Sequence, residues 1–414
     1  MHALLLLSVL TIYFLNNLVT KLDYSRDEWR FTAPFTPLTP MGVDFHLTLH
    51  RAEDLLLKTH PLEPAMYPPF AHMFFLPFAL IPYRAAYIGH IVLLFACNIA
   101  AAVMAVRLAG HVYAPGGGRG GAVGPAVIAA TAVLAITSCG FMLSIERGNY
   151  DIYPAVLMLM ALWVLIEQPR RVWVQVALIS MAAHLKIYPV LLLSAVVWRH
   201  RWRSVLPIVA VNAALFLVWG PHEAAGCVRA AFEGMQGTCV WMGNHSAMSF
   251  FERVVDRVGP APRVIEWACI CIPLLLWVSG AALLVRRGYS GRGVIELFLL
   301  SVPVMSVLPS TSHDYKLVIV YPVIGMLLFI FLSAYARTGG RGALVRAVLT
   351  LVLAGFIGKP AFPAPLFWVN NKYPFVVILQ MLVFAQIVWP EPGSAPESAA
   401  GGEGALASVS REAP

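Results

Sequence analysis

Apolar runs of near-bilayer length recur along most of the chain, separated by short polar breaks. A helix needs about 20 apolar residues to cross a hydrocarbon layer ~30 Å thick. The candidates are 3–20, 86–106, 123–145, 149–167, 172–186, 187–198, 204–221, 263–285, 293–309, 316–336, 343–358 and 374–390. They predict an all-α, polytopic transmembrane helical bundle with about a dozen crossings. Several runs are short, 187–198 most of all, which predicts tilted or broken helices opening onto a cavity. In the stretch 67–82, Pro68, Pro69, Pro77 and Pro82 argue against one continuous helix. That segment is expected to re-enter or lie in the interface, which puts loop 21–66 on the same face as the later outer loops. Lys21, Arg26 and Arg30, following the first run, weigh mildly against this arrangement.

The second half of loop 21–66 has helical periodicity. Phe45, Leu49, Ala52 and Leu56 form one stripe, with His46, His50, Arg51, Glu53 and Asp54 mostly elsewhere. This predicts an amphipathic helix in the membrane interface. The run 3–20 has no basic lead and no A-x-A site, so a retained helix is expected there rather than a signal peptide. Residues 1–391 form one multispan domain on this reading. The Gly/Ala/Ser/Glu/Pro-rich stretch 392–414 is expected to be a disordered cytoplasmic tail, and the glycines at 116–121 a flexible linker.

Composition narrows the class. With 59% hydrophobic and 12% charged residues and a mean hydropathy of +0.74, the chain carries about half the charge of a soluble protein. The net charge of +8 comes from clusters at the ends of apolar runs, where the positive-inside rule places them, so the lipid bilayer is the expected partner and nucleic acid is not. The Arg-rich breaks (Arg170 and Arg171; Arg199, Arg201 and Arg203; Arg286, Arg287 and Arg292; Arg337 and Arg341) should be cytoplasmic. The outer set is then 146–151, 184–189, 222–262, 309–316 and 358–373. Cys97, Cys139, Cys269 and Cys271 lie in apolar runs and read as small core residues. Cys227 and Cys239 share an outer loop, where a disulfide could persist.

The outer breaks hold the polar residues that lipid would penalise. Asp44, at the start of the amphipathic helix, has two readings: an N-cap, or a general base at the membrane surface facing an acceptor hydroxyl. Glu146, Arg147, Asn149 and Asp151 lie in a tight turn between two apolar runs, and His184 and Lys186 in a second break. Glu146 and Arg147 could instead form an adjacent structural ion pair, and Lys186 could be a snorkelling lysine at a helix end. Yet Lys186 lies on the side poor in basic residues, where an anionic ligand such as a phosphate accounts for a cation. Asn244, His245, Ser246 and Arg253, with His313, Asp314, Tyr315 and Lys316, add amide, hydroxyl, imidazole and cationic groups to the same face. A metal site at His46 and His50 is disfavoured, because Asp54 would be the only further ligand on that helix face.

In order and spacing, Asp44-Phe45, Tyr67-Pro68-Pro69, Glu146-Arg147-Gly148-Asn149, the His184 to Pro189 segment, Gly243-Asn244-His245-Ser246 with Arg253, and His313-Asp314-Tyr315 resemble glycosyltransferase family 87. These are polyprenol-phosphate-sugar-dependent membrane transferases of GT-C type. Where the family pattern often has Gly-Gln-x-Asn, this chain has Glu146-Arg147-Gly148-Asn149. The resemblance implies transfer of a sugar, typically mannose or arabinofuranose, from a polyprenyl-phosphate-linked donor to a glycolipid or glycan acceptor. It places this reaction on the outer face of the cytoplasmic membrane and matches Asp44 to the catalytic carboxylate.

The residues themselves suggest a compatible mechanism. Asp44 would take the acceptor proton during inversion at the anomeric carbon, and Lys186, Arg253 and His313 would hold the departing phosphate. Tyr67, Glu146, Arg147, Asn149, His184, Asn244, Ser246, Asp314 and Tyr315 are the expected sugar and acceptor contacts. Phosphate is already a good leaving group, so neither a metal nor a cofactor is expected. The rival readings are a transporter or flippase, which needs polar groups reachable from both faces, a GT-C-type ligase using polyprenyl diphosphate, and a structural assembly subunit.

Overall fold

The computed structural model describes residues 42–57, 67–114, 121–234, 243–259, 263–309, 311–359 and 371–390. The first apolar run, Cys239 and the tail expected at 392–414 lie outside the described residues. Among the described residues regular structure is helical, with a single antiparallel bridge between Asn244 and His313.

The amphipathic helix expected in the first loop is present as α1 (Val43–Leu57), with Phe45, Thr48, Leu49, Ala52 and Leu55 buried; Leu56, expected on that stripe, is exposed, and Leu55 one position earlier takes its place. Phe45 is fully buried among the rings of Phe75, Phe78, Tyr83, Tyr87 and His90. Two of these rings belong to α2 (Pro69–Ala79) and three to α3 (Tyr83–Tyr113). At 11 residues, α2 rises about 16 Å, half of a ~30 Å hydrocarbon layer. It cannot cross alone, and the chain turns at Leu80–Pro82 directly into α3.

The middle of the chain forms α4 (Gly124–Ile136), α5 (Cys139–Arg147), α6 (Ile152–Glu167) and α7 (Val172–Leu185). After the 3-10 turn Tyr188–Leu192, α8 (Leu193–His200) leads to Arg201, whose φ of 51° reverses the chain into α9 (Val205–Phe216). His200 meets Gln175 near the start of α7, whereas Asn212 meets Ser180 and His184 near its end. The two short helices therefore run antiparallel along α7. The remainder is α10 (Pro221–Gly234), α11 (Ala247–Val258), α12 (Arg263–Arg287), α13 (Gly291–Val307), α14 (Val320–Thr338), α15 (Arg341–Gly358) and α16 (Tyr373–Val388).

Nearly all of α13 and α14 is buried, and these helices form the axis of the bundle. Around them, Ile88 and Val92 on α3, Val209 on α9, Leu275 and Val278 on α12, and Val345, Val348 and Val352 on α15 point outward. Apolar side chains on the outer surface around a buried core are what a lipid-facing bundle requires. Pro273 within α12 frees the carbonyl of Cys269, and Tyr373 Oη donates to it at 2.5 Å.

Where the apolar pattern suggested about a dozen crossings, four helices are long and apolar enough by themselves: Tyr83–Tyr113, Val264–Arg287, Asp314–Thr338 and Arg341–Gly358. Two bent pairs, Gly124–Ile136 with Cys139–Arg147 at 52° and Tyr188–Phe216 with Pro221–Phe232 at 94°, would bring that to six among the described residues. Pro69–Ala79, Ile152–Glu167, Val172–Leu185 and Tyr373–Val388 are apolar but shorter. Counting apolar runs treats each as a full pass. Several of these runs instead give way to turns and 3-10 segments where their polar residues gather.

Candidate active site

Those polar residues meet at one end of the bundle. The N–H of Gly42 donates to the carbonyl of Glu146 at 2.7 Å, tying the entry of α1 to the end of α5. Gly148 ends α5 in the left-handed region at φ +69°, and a Cβ there would stand 2.5 Å from that of Phe45. Only glycine permits this approach. It sets the first turn of α1 beside Arg147.

Asp44 occupies that first turn, but its carboxylate is taken up by a distant segment rather than by the helix's own N–H groups. Arg147 donates from Nε to Oδ2 at 3.1 Å and from Nη2 to Oδ1 at 2.7 Å, and Asn149 Nδ2 donates to Oδ2 at 3.1 Å. The Arg fork and carboxylate form a bidentate, charge-assisted pair. The side chains stay 22% and 12% accessible.

Lys186 leaves the end of α7 in extended conformation and turns inward. Its Nζ donates to Tyr67 Oη at 3.0 Å, lies 3.6 Å from Asp151 Oδ2, and sits 4.5 Å from the ring centroids of both Tyr67 and Tyr150. A buried cation so enclosed by rings and a carboxylate is not a snorkelling lysine. Asp151 is fully buried and accepts from Tyr188 Oη at 2.8 Å. Lys316, also buried, donates to the carbonyl of Thr311 at 3.0 Å and lies 5.5 Å from the Tyr188 ring centroid.

The two ion pairs share one ring. Tyr315 lies 5.9 Å from the Arg147 guanidinium and 5.9 Å from Lys186 Nζ. Gly140 helps to bring it there, because a Cβ on that residue would stand 2.6 Å from the carbonyl oxygen of Asp314. His313 packs edge-on against Tyr315 at 5.1 Å. Burial first, and then the charges of Arg147 and Lys316, hold its imidazole down at about 4. It is therefore neutral near pH 7 and can meet a phosphate with a hydrogen bond rather than with a charge.

A second network frames the first. Asn244 Oδ1 accepts from the N–H of Ser246 at 3.1 Å and of Ser312 at 2.8 Å, while Ser246 Oγ caps α11 by accepting from Ser249 N at 3.1 Å. Asp314 pairs with Lys372 and, at 2.5 Å, with His245 Nε2, and Lys372 N donates to His245 Nδ1 at 3.1 Å. With Nδ1 accepting, the His245 proton resides on Nε2. Burial pushes that imidazole below its usual range, against the pull of Asp314.

The geometry thus brings Asp44, Tyr67, Arg147, Asn149, Lys186, His313 and Tyr315 into one cluster. It engages the side chains of Asn244, Ser246 and Asp314 in the frame behind them. His184 meets Asn212 of α9 at 3.2 Å, Glu146 is half-buried beside the Gly42 contact, and Arg253 is half-buried on α11, the helix that Ser246 caps. Cys227 is buried with Sγ 3.4 Å from the carbonyl of Tyr67, while its expected partner Cys239 lies outside the described residues. Sequence reasoning passed over Tyr150, Tyr188 and Lys372, and it noted Asp151 and Lys316 among the polar residues of their breaks without giving either a role. Tyr150 and Tyr188 sit in the same polar breaks as the residues it did select. Lys372 lay in an outer break in which nothing pointed to a buried partner.

The family model of glycosyltransferase family 87 matches residues 65–311. No curated protein and no solved structure matches the chain.

Proposed function

Since the chain belongs to glycosyltransferase family 87 and is thereby a membrane glycosyltransferase, we propose that it moves a sugar of the mannose or arabinofuranose class from a polyprenyl phosphate to a glycolipid or glycan acceptor. The active site faces the outer side of the cytoplasmic membrane, and the configuration at the anomeric carbon inverts. One observation carries the reading: a carboxylate from the first loop and cations from three distant breaks gather around Tyr315 at one end of a bundle with apolar sides.

The charge of the cluster supports a monophosphate donor. Arg147, Lys186 and Lys316 face two carboxylates, Asp44 and Asp151, which leaves one positive charge in excess. A sugar on a polyprenyl phosphate is a phosphodiester with one negative charge, whereas a diphosphate-linked glycan carries two. Burying a matched charge costs less than burying an unmatched one.

In the reaction the acceptor oxygen attacks the anomeric carbon as its proton passes to Asp44. The new C–O bond forms while the bond from that carbon to the phosphate oxygen breaks, and the phosphate leaves with the electron pair. Lys186 and Lys316 stabilise the charge that develops on it. Asn149 orients Asp44, and Tyr67, Tyr150 and Tyr315 provide aromatic faces and hydroxyls against which a sugar can pack.

The test is transfer by the purified full chain in nanodiscs, with a membrane lipid extract as acceptor and three radiolabelled donors: polyprenyl-phosphate mannose, polyprenyl-diphosphate-linked glycan and a nucleotide sugar. Labelled product is expected from the first alone. Product from the diphosphate donor would assign a ligase. Movement of the labelled lipid between leaflets without product would assign a flippase.

A further inference from the structure

Every charge in the cluster is held in two ways, and one of these arrangements conflicts with a base free to act. Asp44 cannot accept an acceptor proton readily while both its oxygens are engaged by the Arg147 fork. The same guanidinium is the most accessible of the cluster's cations, with 22% of its side chain exposed against 9% for Lys186. Asp44 also has a neutral holder, Asn149, which reaches Oδ2 from the same turn at 3.1 Å. Removing Arg147 would leave the carboxylate oriented but uncovered. The Lys186–Asp151 pair differs, being looser at 3.6 Å and enclosed by rings.

Resting on the donor assignment above, we infer that Arg147 is a positioning residue that exchanges partners: in the resting enzyme it covers Asp44, and on donor binding it swings to the donor phosphate, leaving Asp44 held by Asn149 alone. The base is then exposed only when a phosphate is in place. A guanidinium suits this exchange because carboxylate and phosphate present the same spacing to its fork. Tyr315, 5.9 Å from the guanidinium, supplies a face over which it can turn. The excess positive charge of the cluster stays available to the phosphate before and after the exchange.

The exchange makes a thermodynamic demand that a fixed Arg147–Asp44 pair does not. The donor phosphate competes with Asp44 for Arg147, so neutralising Asp44 must improve phosphate binding, and only through Arg147. The experiment is a double-mutant cycle on the purified full chain in nanodiscs, measuring Kd for polyprenyl phosphate with Asp44→Asn, Arg147→Gln and the double variant. Asp44→Asn is expected to bind about tenfold more tightly than the wild type, and Arg147→Gln about tenfold more weakly, given the coupling of close charge pairs. Adding Asp44→Asn to Arg147→Gln should then change nothing. Equal tightening by Asp44→Asn in both backgrounds would mean a general field effect and overturn the exchange, as would no tightening in either.

Infrared difference spectra of wild-type protein carrying 13C-labelled aspartate give a readout independent of variant folding. Adding polyprenyl phosphate should shift a carboxylate stretch from the Arg-paired position to the unpaired one. Saturable binding without that shift would contradict the exchange while leaving the donor assignment standing. Absence of polyprenyl phosphate binding to the wild type would instead sink the donor assignment.

Discussion

Both ends of the bundle bury carboxylates beside arginines, and they do so in opposite ways. At the Arg-rich end, Arg292 Nε meets Glu296 at 2.7 Å one turn along the same helix, and Tyr113 Oη donates to Glu296 at 3.1 Å. Arg337 donates to the carbonyl of Tyr113 at 3.2 Å, closing α14 onto α3. At the other end, Asp44 finds its cation 103 positions away and Lys186 finds Tyr67 at a separation of 119. A local i,i+4 pair forms with the helix and costs little further order. Convergence of several polar breaks orders each of them, desolvates three cations, and adds little stability over an apolar core. The first arrangement serves the fold, and the second is what the proposed donor site accounts for.

The contrast can be broken by substitutions matched at the two ends. The largest effect is expected from Lys186→Ala. Donor affinity should fall by about 2–5 kcal/mol, the usual penalty for removing one member of a buried, charge-paired contact, read as Kd for polyprenyl phosphate. Unchanged affinity would remove Lys186 from the phosphate site. Next is Gly148→Ala, whose methyl would press on Phe45 at a positive φ. It should cost ~2 kcal/mol of stability and reduce transfer beyond what unfolding explains, because it displaces α1 and Asp44 with it. A thermal melt with a parallel transfer assay checks both.

Glu296→Gln is the counterpart at the Arg-rich end. It keeps the shape of the side chain and its bond from Tyr113 but loses the charge paired with Arg292. About 1–2 kcal/mol of stability should be lost, with donor Kd and transfer by the folded fraction unchanged. A shifted Kd would couple the two ends. At neutral pH the smallest effect concerns His313. Its folded imidazole is held at about 4, below the ordinary 6.5, so below pH 6.5 the unfolded chain takes up a proton that the folded one refuses. Stability should therefore be unaffected above pH 6.5, fall as pH drops from there toward 4, and level off below. His313→Gln should remove part of that slope in melting temperature, and an identical slope in wild type and variant would refute the assignment.

The class of fold was legible because lipid imposes strong patterning. Apolar runs, arginine clusters at their ends and the stripe Phe45, Leu49, Ala52 can be read without coordinates. That Arg147, Asn149, Lys186 and Tyr315 share one face was read from charge asymmetry, whereas Asp44 was placed with them on the prolines of 67–82, against the local charges of Lys21, Arg26 and Arg30. Pairing was not legible, since nothing local says that Arg147 turns to Asp44 across 103 positions. The same limit hid the frame. Asn244 and Asp314 read as polar loop residues suited to a sugar, but they meet Ser312 and Lys372, partners brought in by tertiary structure, while Ser246 is taken up locally as the cap of α11. Crossings were overcounted for a related reason, since hydropathy marks apolar sequence without marking where it bends, as between Ile136 and Cys139 inside the run 123–145.

Single-turnover chemistry in the Asp44→Asn variant tests the central claim most directly. Purified wild type and variant, each loaded with radiolabelled polyprenyl-phosphate mannose and mixed with acceptor extract, are followed for labelled product at fixed donor occupancy. Loss of a general base predicts a rate at least ~100-fold lower in the variant while the donor remains bound. Transfer at the wild-type rate by the folded variant would contradict the account.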